Sequence, residues 1–270
     1  MEKNKKTHDN DTAQWRIKCS NLHLIIHAAF TKEITVQPSD VSCQGALKLK
    51  NLLDYFQNTA GLAVENIEGT TSDLIARGYA WVLTRYEIDI IGKMPALDEK
   101  FFITTYHDPS HGYNTLRVFE VKNLNQNPIA WAKSSWLLLD LANMRPVKAV
   151  NHLPEIKSRD VGEISPDFTQ FNEPEKSEII KTVEIPVRFH DLDYNLHVNN
   201  AVYFGWVFDE CPVDLMNKEL KFISAEFRTG AKFGEKVTLN YEKINENVFR
   251  CKIFRENIKK PSANFILTWE

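Results

Sequence analysis

Between Ala46 and Val64 the apolar residues Leu49, Leu52, Leu53, Phe56, Ala60 and Ala63 recur three and four apart, the spacing that places side chains on one face of a helix. It predicts a helix with that face buried. After a turn at Gly69 to Asp73 the period changes. Stretches near 80–91, 99–107, 113–123 and 128–140 are rich in Val, Ile, Thr, Trp, Tyr and Phe, and are divided by Gly92, Pro95, Gly112 and an Asn-Gln-Asn-Pro turn at 125–128. They read as successive antiparallel strands. From Glu155 to Glu178, seven acidic residues against three basic ones, with Pro166 and Pro174, break the pattern as a linker does.

Beyond the linker the plan begins again. The segment Val36 to Ser42 lies over Val187 to Asp193 at a constant offset of 151, with Asp40 over Asp191, and each runs into an apolar helix. Gly92 to Lys100 likewise resembles Gly230 to Lys236, and Pro128 to Trp136 resembles Pro261 to Trp269. The chain reads as a tandem duplication. The second helix, Ala201 to Phe208, is apolar on nearly every side, which requires protein all around it. Strand, buried helix and four more strands, twice over, is the order of an α+β tandem hotdog fold: two units, each a curled antiparallel sheet wrapped around a long central helix. The expected division is a flexible polar tail at 1–20, an N-terminal hotdog domain at 21–154, a linker at 155–179 and a C-terminal hotdog domain at 180–270.

Composition narrows the classes. The 270 residues are 43% hydrophobic and 26% charged, which excludes a disordered or collagen-like chain. A formal net charge of -3 removes the global attraction expected of a nucleic-acid binder or a basic membrane-surface protein. Cys19, Cys43, Cys211 and Cys251 form no C-x-x-C pair, so no zinc ribbon or redox pair is expected and reduced thiols in a cytoplasm fit best. The apolar run Leu22 to Phe30 contains His23 and His27 and is far shorter than a membrane span, for which about 20 residues are needed.

The two copies differ where each helix begins. The first reads Ser42-Cys43-Gln44-Gly45-Ala46; at the same offset the second reads Asp193-Tyr194-Asn195-Leu196-His197. Only the second holds an acid, an amide and an imidazole. Alternation in an extended loop would project Asp193, Asn195 and His197 to one side. Asn199 or Asn200 suits a helix N-cap, and the amides of that helix start could hold a polarised carbonyl oxygen. The same residues also suit plain capping and loop hydrogen bonding.

Asp191 to Trp206, with its Asp193, Asn195, His197-Val198-Asn199-Asn200, Tyr203 and Trp206, resembles the signature of the acyl-acyl-carrier-protein (acyl-ACP) thioesterases of bacteria and plant plastids. Trp81 to Arg85, Ala132 to Trp136 and Leu153 to Glu155 resemble first-half segments of the same family. The resemblance implies hydrolysis of fatty acyl-ACP to free fatty acid without cofactor or metal, with Asp193, Asn195 and His197 as the catalytic set. One departure stands out. Where family members commonly carry Glu and, in many plant enzymes, Cys after an Arg-rich strand, this chain has Gly230 and Ala231. A cysteine nucleophile there is absent, and Cys211, in apolar surroundings, reads as packing. Water attack is expected, with Asp193 or His197 as general base and the other as its orienter.

The first half is then free to hold the acyl chain, with Trp81, Leu83, Ile88, Leu49, Leu52, Leu53 and Phe56 as candidate tunnel residues, although for any one of them plain core packing is the stronger expectation. From Arg228 to Lys260 there are nine Lys or Arg against four Glu. Arg228, Lys232, Lys236 and Arg255 are candidates for docking the acidic carrier protein, or for a solvated strand face. A homodimer is allowed; nucleic acid and membrane are not expected partners. The rival readings are an acyl-CoA thioesterase of the hotdog superfamily and a non-catalytic acyl-binding sensor.

Overall fold

The computed structural model describes residues 29–153, 167–174 and 176–270. The expected tail at 1–20, Cys19 and most of the linker, 155–166 with 175, lie outside the described residues. The first unit consists of β1 (Phe30–Thr35), helix α1 (Leu49–Glu68), a short helix α2 (Thr71–Ala76), and strands β2 (Tyr79–Ile90), β3 (Lys100–His111), β4 (Asn114–Asn123), β5 (Pro128–Asp140) and the small β6 (Arg145–Val147). The second repeats the order with β7 (Glu178–Pro186), helix α3 (Asn200–Asp209), β8 (Leu220–Phe227), β9 (Lys236–Lys243), β10 (Val248–Arg255) and β11 (Ala263–Trp269).

Ten of the strands form one antiparallel path, β1-β3-β4-β5-β2-β8-β11-β10-β9-β7, with β6 on β5. The units therefore meet through equivalent strands, β2 against β8, in a register that sets Arg85 opposite Glu226 and Ile88 opposite Ile223. At this seam Arg85 Nη2 lies 2.8 Å from Glu226 Oε1, and Ser224 donates to Glu87 at 3.3 Å. One apolar core runs through both halves, taking in Leu52, Phe56 and Ile88 from the first and Phe204, Ile223 and Phe265 from the second. The tandem hotdog is the observed fold.

Two local expectations are corrected. Helix α1 starts at Leu49, not Ala46, because Ala46 and Leu47 are held in bridges to Ala96 and Val41, and the Leu47 amide donates to the Pro95 carbonyl at 2.8 Å. The Gly69 to Asp73 turn is in fact the cap of α2. Gly69 closes α1 at φ 85°, and Thr70 and Asp73 then form a reciprocal capping box.

The described part of the linker is a strap, not a free spacer. Phe168 is buried with the Lys133 ammonium 4.6 Å from its ring centre, Lys133 binds the Asp167 carbonyl, and the Thr169 amide donates to Glu87 at 2.5 Å.

Candidate active site

The turn before each central helix is built twice with the same hydrogen bonds. In the first unit the Ser42 amide donates to Ala46 O at 2.8 Å, Gly45 to Ser42 O at 2.9 Å and Lys48 to Asp40 O at 2.8 Å. In the second, at the offset of 151, Asp193 donates to His197 O at 2.8 Å, Leu196 to Asp193 O at 3.1 Å and Asn199 to Asp191 O at 2.9 Å. The left-handed residue repeats as well: Gly45 has φ 76° and Leu196 φ 60°. A leucine there carries a steric cost that glycine avoids. The loop is thus a closed turn, which corrects the expected extended alternation. The turn itself, not a pleat, gathers positions 193, 195 and 197.

Within the second turn the Asp193 carboxylate and the His197 ring each meet the main chain. Asp193 Oδ1 accepts the amides of Asn195 at 2.8 Å and His197 at 3.5 Å, so the carboxylate brackets the loop backbone. The His197 ring is held elsewhere: its Nδ1 lies 2.9 Å from the Asn195 carbonyl oxygen. A carbonyl only accepts, so Nδ1 donates, and in the neutral form of such a ring the lone pair is on Nε2. The imidazole is therefore held by the main chain of Asn195, whereas the sequence left open whether Asp193 orients His197 or the reverse. Asp193 and His197 are half-buried, and Asn195 is exposed.

Helix α3 is capped by Asn199, whose side-chain oxygen accepts the Ala201 amide at 2.8 Å, while the Val202 amide donates to the Asn199 carbonyl at 2.9 Å. These two amides are thereby spent on the cap. The expected oxyanion role of the helix start narrows to the Asn200 amide.

Sequence reasoning noted Gly230 and Ala231 only as departures; their positions make them part of the site. A Cβ built on Gly230 would stand 2.9 Å from His197 Cβ and 3.0 Å from its Cδ2. The Ala231 carbonyl accepts the Val198 amide at 2.9 Å, and the Ala231 amide donates to the Tyr203 hydroxyl at 2.9 Å. Residues 230 and 231 therefore floor the turn, and the missing side chain at 230 is what lets the imidazole settle. Cys211 is partly buried, and burial pushes its thiol pKa up, against a hydrogen bond from Tyr241 that lowers it. It packs against the core.

A cavity of about 280 Å³ adjoins the turn through Tyr194 and extends along the C-terminal half of α1, past Ala60 and Val64, to Trp81 and Trp136. Of the candidate tunnel residues only Trp81 lines it. Leu49, Leu52, Leu53, Phe56, Leu83 and Ile88 are filled core, because the stripe of α1 from Leu49 to Phe56 packs into the core, and the free space begins only where the stripe reaches Ala60.

Of the candidate docking residues, Arg255 is clamped by Glu235 through two hydrogen bonds at 2.8 and 2.6 Å. Arg228 is paired with Glu226 at 2.8 Å, and Lys236 with Glu184 at 3.3 Å. Arg255 and Lys236 are thus each met by one carboxylate, whereas Arg228 shares Glu226 with Arg85 and that trio keeps one net positive charge. Lys232 is exposed beside Phe233, which packs edge-on against the exposed Phe189 at 6.3 Å.

The doubled sheet and the single furnished turn define a two-unit hotdog protein with one candidate reaction centre. The profile of the acyl-ACP thioesterase N-terminal domain matches residues 27–156 and that of the C-terminal domain residues 174–269, and the chain belongs to the acyl-ACP thioesterase family. It is 23% identical over 221 residues to a chloroplastic palmitoyl-acyl carrier protein thioesterase of Arabidopsis thaliana, covering 74% of this chain and 51% of that protein. It is 24% identical to the chloroplastic oleoyl-acyl carrier protein thioesterase 2 of the same plant, covering 74% and 59%. The chain thus spans about half the length of these relatives. In fold it is similar to an acyl-ACP thioesterase from Bacteroides thetaiotaomicron, with a TM-score of 0.72 at 21% identity over 90% of this chain and 98% of that one. It is also similar to a 12:0-ACP thioesterase from Umbellularia californica, with a TM-score of 0.70 at 14% identity over 90% and 97%.

Proposed function

We propose that the protein is a thioesterase that hydrolyses fatty acyl-ACP to free fatty acid and holo-ACP in fatty acid biosynthesis, with Asp193, Asn195 and His197 as its reaction centre. One observation carries the reading: the same turn is built twice, and only the second copy presents an imidazole whose Nε2 is left as the acceptor.

In this scheme His197 Nε2 takes a proton from water as its oxygen attacks the thioester carbonyl. The oxyanion that forms is held by the Asn200 amide and the Asn195 side chain. Collapse breaks the C–S bond, and the thiolate leaves and takes up the proton. Asp193 acts by holding the turn. The cavity beyond Tyr194 seats the acyl chain in the first unit, and its limited volume sets the length accepted. The exposed Lys232, with Phe189 and Phe233 beside it, is where the carrier protein would dock, with Arg228, Lys236 and Arg255 adding only what their ion pairs leave. The free thiols of Cys43, Cys211 and Cys251 support a reducing compartment such as the cytoplasm. Among the described residues, no helix is long and apolar enough to cross a membrane.

The test is turnover by the purified protein of matched acyl-ACP and acyl-CoA, with His197→Ala beside it. We expect acyl-ACP to be the better substrate and the variant to lose on the order of 10²- to 10⁴-fold in kcat, the range of a positioned general base. A variant that turns over at full rate overturns the assignment, and a preference for acyl-CoA moves the substrate to the coenzyme.

A further inference from the structure

Helix α1 carries a glycine in its interior. Gly61 is the thirteenth of its 20 residues, more than a turn from either end, so it caps neither; the C-cap is Gly69. Its φ is not positive, and no left-handed turn requires a glycine there. Close packing does not require one either. Among the described residues, beyond its chain neighbours and its own helix backbone, no heavy atom lies within 4 Å of where a Cβ at 61 would stand. Gly205 of α3, by contrast, has Lys50 Cδ at 3.6 Å, and Gly230 has the His197 ring. A glycine inside a helix costs stability relative to alanine, through the backbone freedom it gives the unfolded chain. At Gly61 no neighbour explains that cost.

Gly61 is exposed, and what its face opens on is the cavity. Gln57, Ala60, Gly61 and Val64 all line it, and their spacing of i, i+3, i+4 and i+7 sets them on one face of α1. Gly61 lies within that face, about one turn from Gln57 and one from Val64. A side chain at 61 would therefore project into the space along this wall. Of the α1 residues that line the cavity, Gly61 alone brings no side chain to it. The whole cavity is only about 280 Å³, so a few added carbons would take a sizeable share.

We propose that Gly61 is a specificity-determining residue: the side chain it lacks keeps the cavity open part-way along its α1 wall and admits acyl chains long enough to run past that point. The inference rests on the reading of this cavity as the seat of the acyl chain, and names the residue that sets its reach. Each carbon added at 61 excludes about one methylene of the acyl chain, and each methylene denied burial lowers affinity about fourfold. The loss falls on chains that reach residue 61.

The experiment is isothermal titration of the full chain, and of its Gly61→Ala and Gly61→Leu variants, with straight-chain saturated fatty acids of increasing length. Tm is recorded for each protein, and hydrolysis of the corresponding acyl-ACPs is measured in parallel. The readout is the affinity of the longest acid the parent binds, divided by that of an acid several carbons shorter. We expect this ratio to fall about fourfold in Gly61→Ala and on the order of a hundredfold in Gly61→Leu. Gly61→Ala should also raise Tm by about 1–3 °C, because alanine is the better helix former. Should the leucine variant fail to fold, the alanine variant still decides. A ratio that stays at the parent value, as when every length weakens alike, overturns the inference. So does a lowered Tm in Gly61→Ala, which would mean that the methyl group meets a neighbour, and so does a parent that binds no acid. A shifted ratio without hydrolysis of any acyl-ACP keeps the inference and defeats the thioesterase reading. Hydrolysis with an unmoved length profile does the reverse.

Discussion

Gly230 lies against His197 so closely that a Cβ at 230 would stand 2.9 Å from His197 Cβ, a separation at which one of the two must move. Gly230→Ala should therefore displace the imidazole while sparing the fold, since the turn is held by main-chain bonds that do not involve that methyl group. We expect a fall in kcat of at least about tenfold, by analogy with the loss produced by small displacements of a reacting group, with little change in Tm. Turnover equal to the parent enzyme would show that the close approach has no bearing on the chemistry.

The doubled turn supplies its own control for Asp193. In the first unit Ser42 Oγ accepts the Gln44 amide at 3.2 Å, the bond that Asp193 Oδ1 makes to Asn195 at 2.8 Å. Asp193→Ser should keep the turn closed and change stability by less than about 1 kcal/mol. If the carboxylate only brackets the loop, kcat should be largely retained. If the charge acts on the reaction, kcat falls while circular dichroism and Tm stay put.

His107 links stability to pH. Its pKa falls to about 3 in the folded protein because of burial, then the Arg117 charge, whereas in the unfolded chain it is near the usual ~6.5. The unfolded state thus binds the extra proton between these values. The contribution is fully present above the unfolded pKa and is lost as pH falls through that window, by up to about 1.4 kcal/mol per pH unit. Urea midpoints followed between roughly pH 5 and 8 should fall less steeply on acidification in His107→Phe than in the parent. Parallel slopes would exclude a buried neutral imidazole.

Asp40, the first-unit counterpart of Asp191, accepts hydrogen bonds from the Tyr55 hydroxyl at 2.5 Å, Asn51 at 3.0 Å and the Gln37 amide at 2.8 Å. Burial alone would raise its pKa, but the bonds from Tyr55, Gln37, Asn51 and Ser39 outweigh it and hold the pKa below the ordinary carboxylate value of 3.8. The stabilisation is present above that value and lost as pH falls through the lowered one. Tyr55→Phe should cost about 1–2 kcal/mol at neutral pH and move acid unfolding to higher pH. An unchanged acid transition would mean that Asp40 is not held by its tyrosine.

Much of the fold was legible because period alone separates a wrapped helix from its strands. The stripe from Leu49 to Ala60 predicted burial from one side, which is observed; the all-round apolarity of Ala201 to Phe208 predicted burial from every side, whereas Ala201, Tyr203, Phe204, Trp206 and Val207 are buried and Val202, Gly205 and Phe208 form a half-buried face. The offset of 151 was legible as residue identity and proved to be a repeat of hydrogen bonds. The start of α1 was missed because Ala46 is held extended by a bridge to Ala96, far along the chain, while Leu47 is held by a bridge back to Val41. At the second turn, the grouping of Asp193, Asn195 and His197 could be read from the chain, but the contacts between them could not. They depend on which atom of the turn meets the imidazole. Gly230 was visible only as a departure from the family pattern, and its contact with residue 197 spans more than thirty positions.

The joining of β2 to β8, like against like, has a consequence for how such a protein can change over generations. In an assembly of two identical chains every substitution strikes both reaction centres at once, so neither can be given up while the other is kept. Fusing the halves into one gene lifts that coupling. In one chain the two equivalent turns are free to differ, and they do: the first carries Ser42, Gln44 and Ala46 where the second carries Asp193, Asn195 and His197.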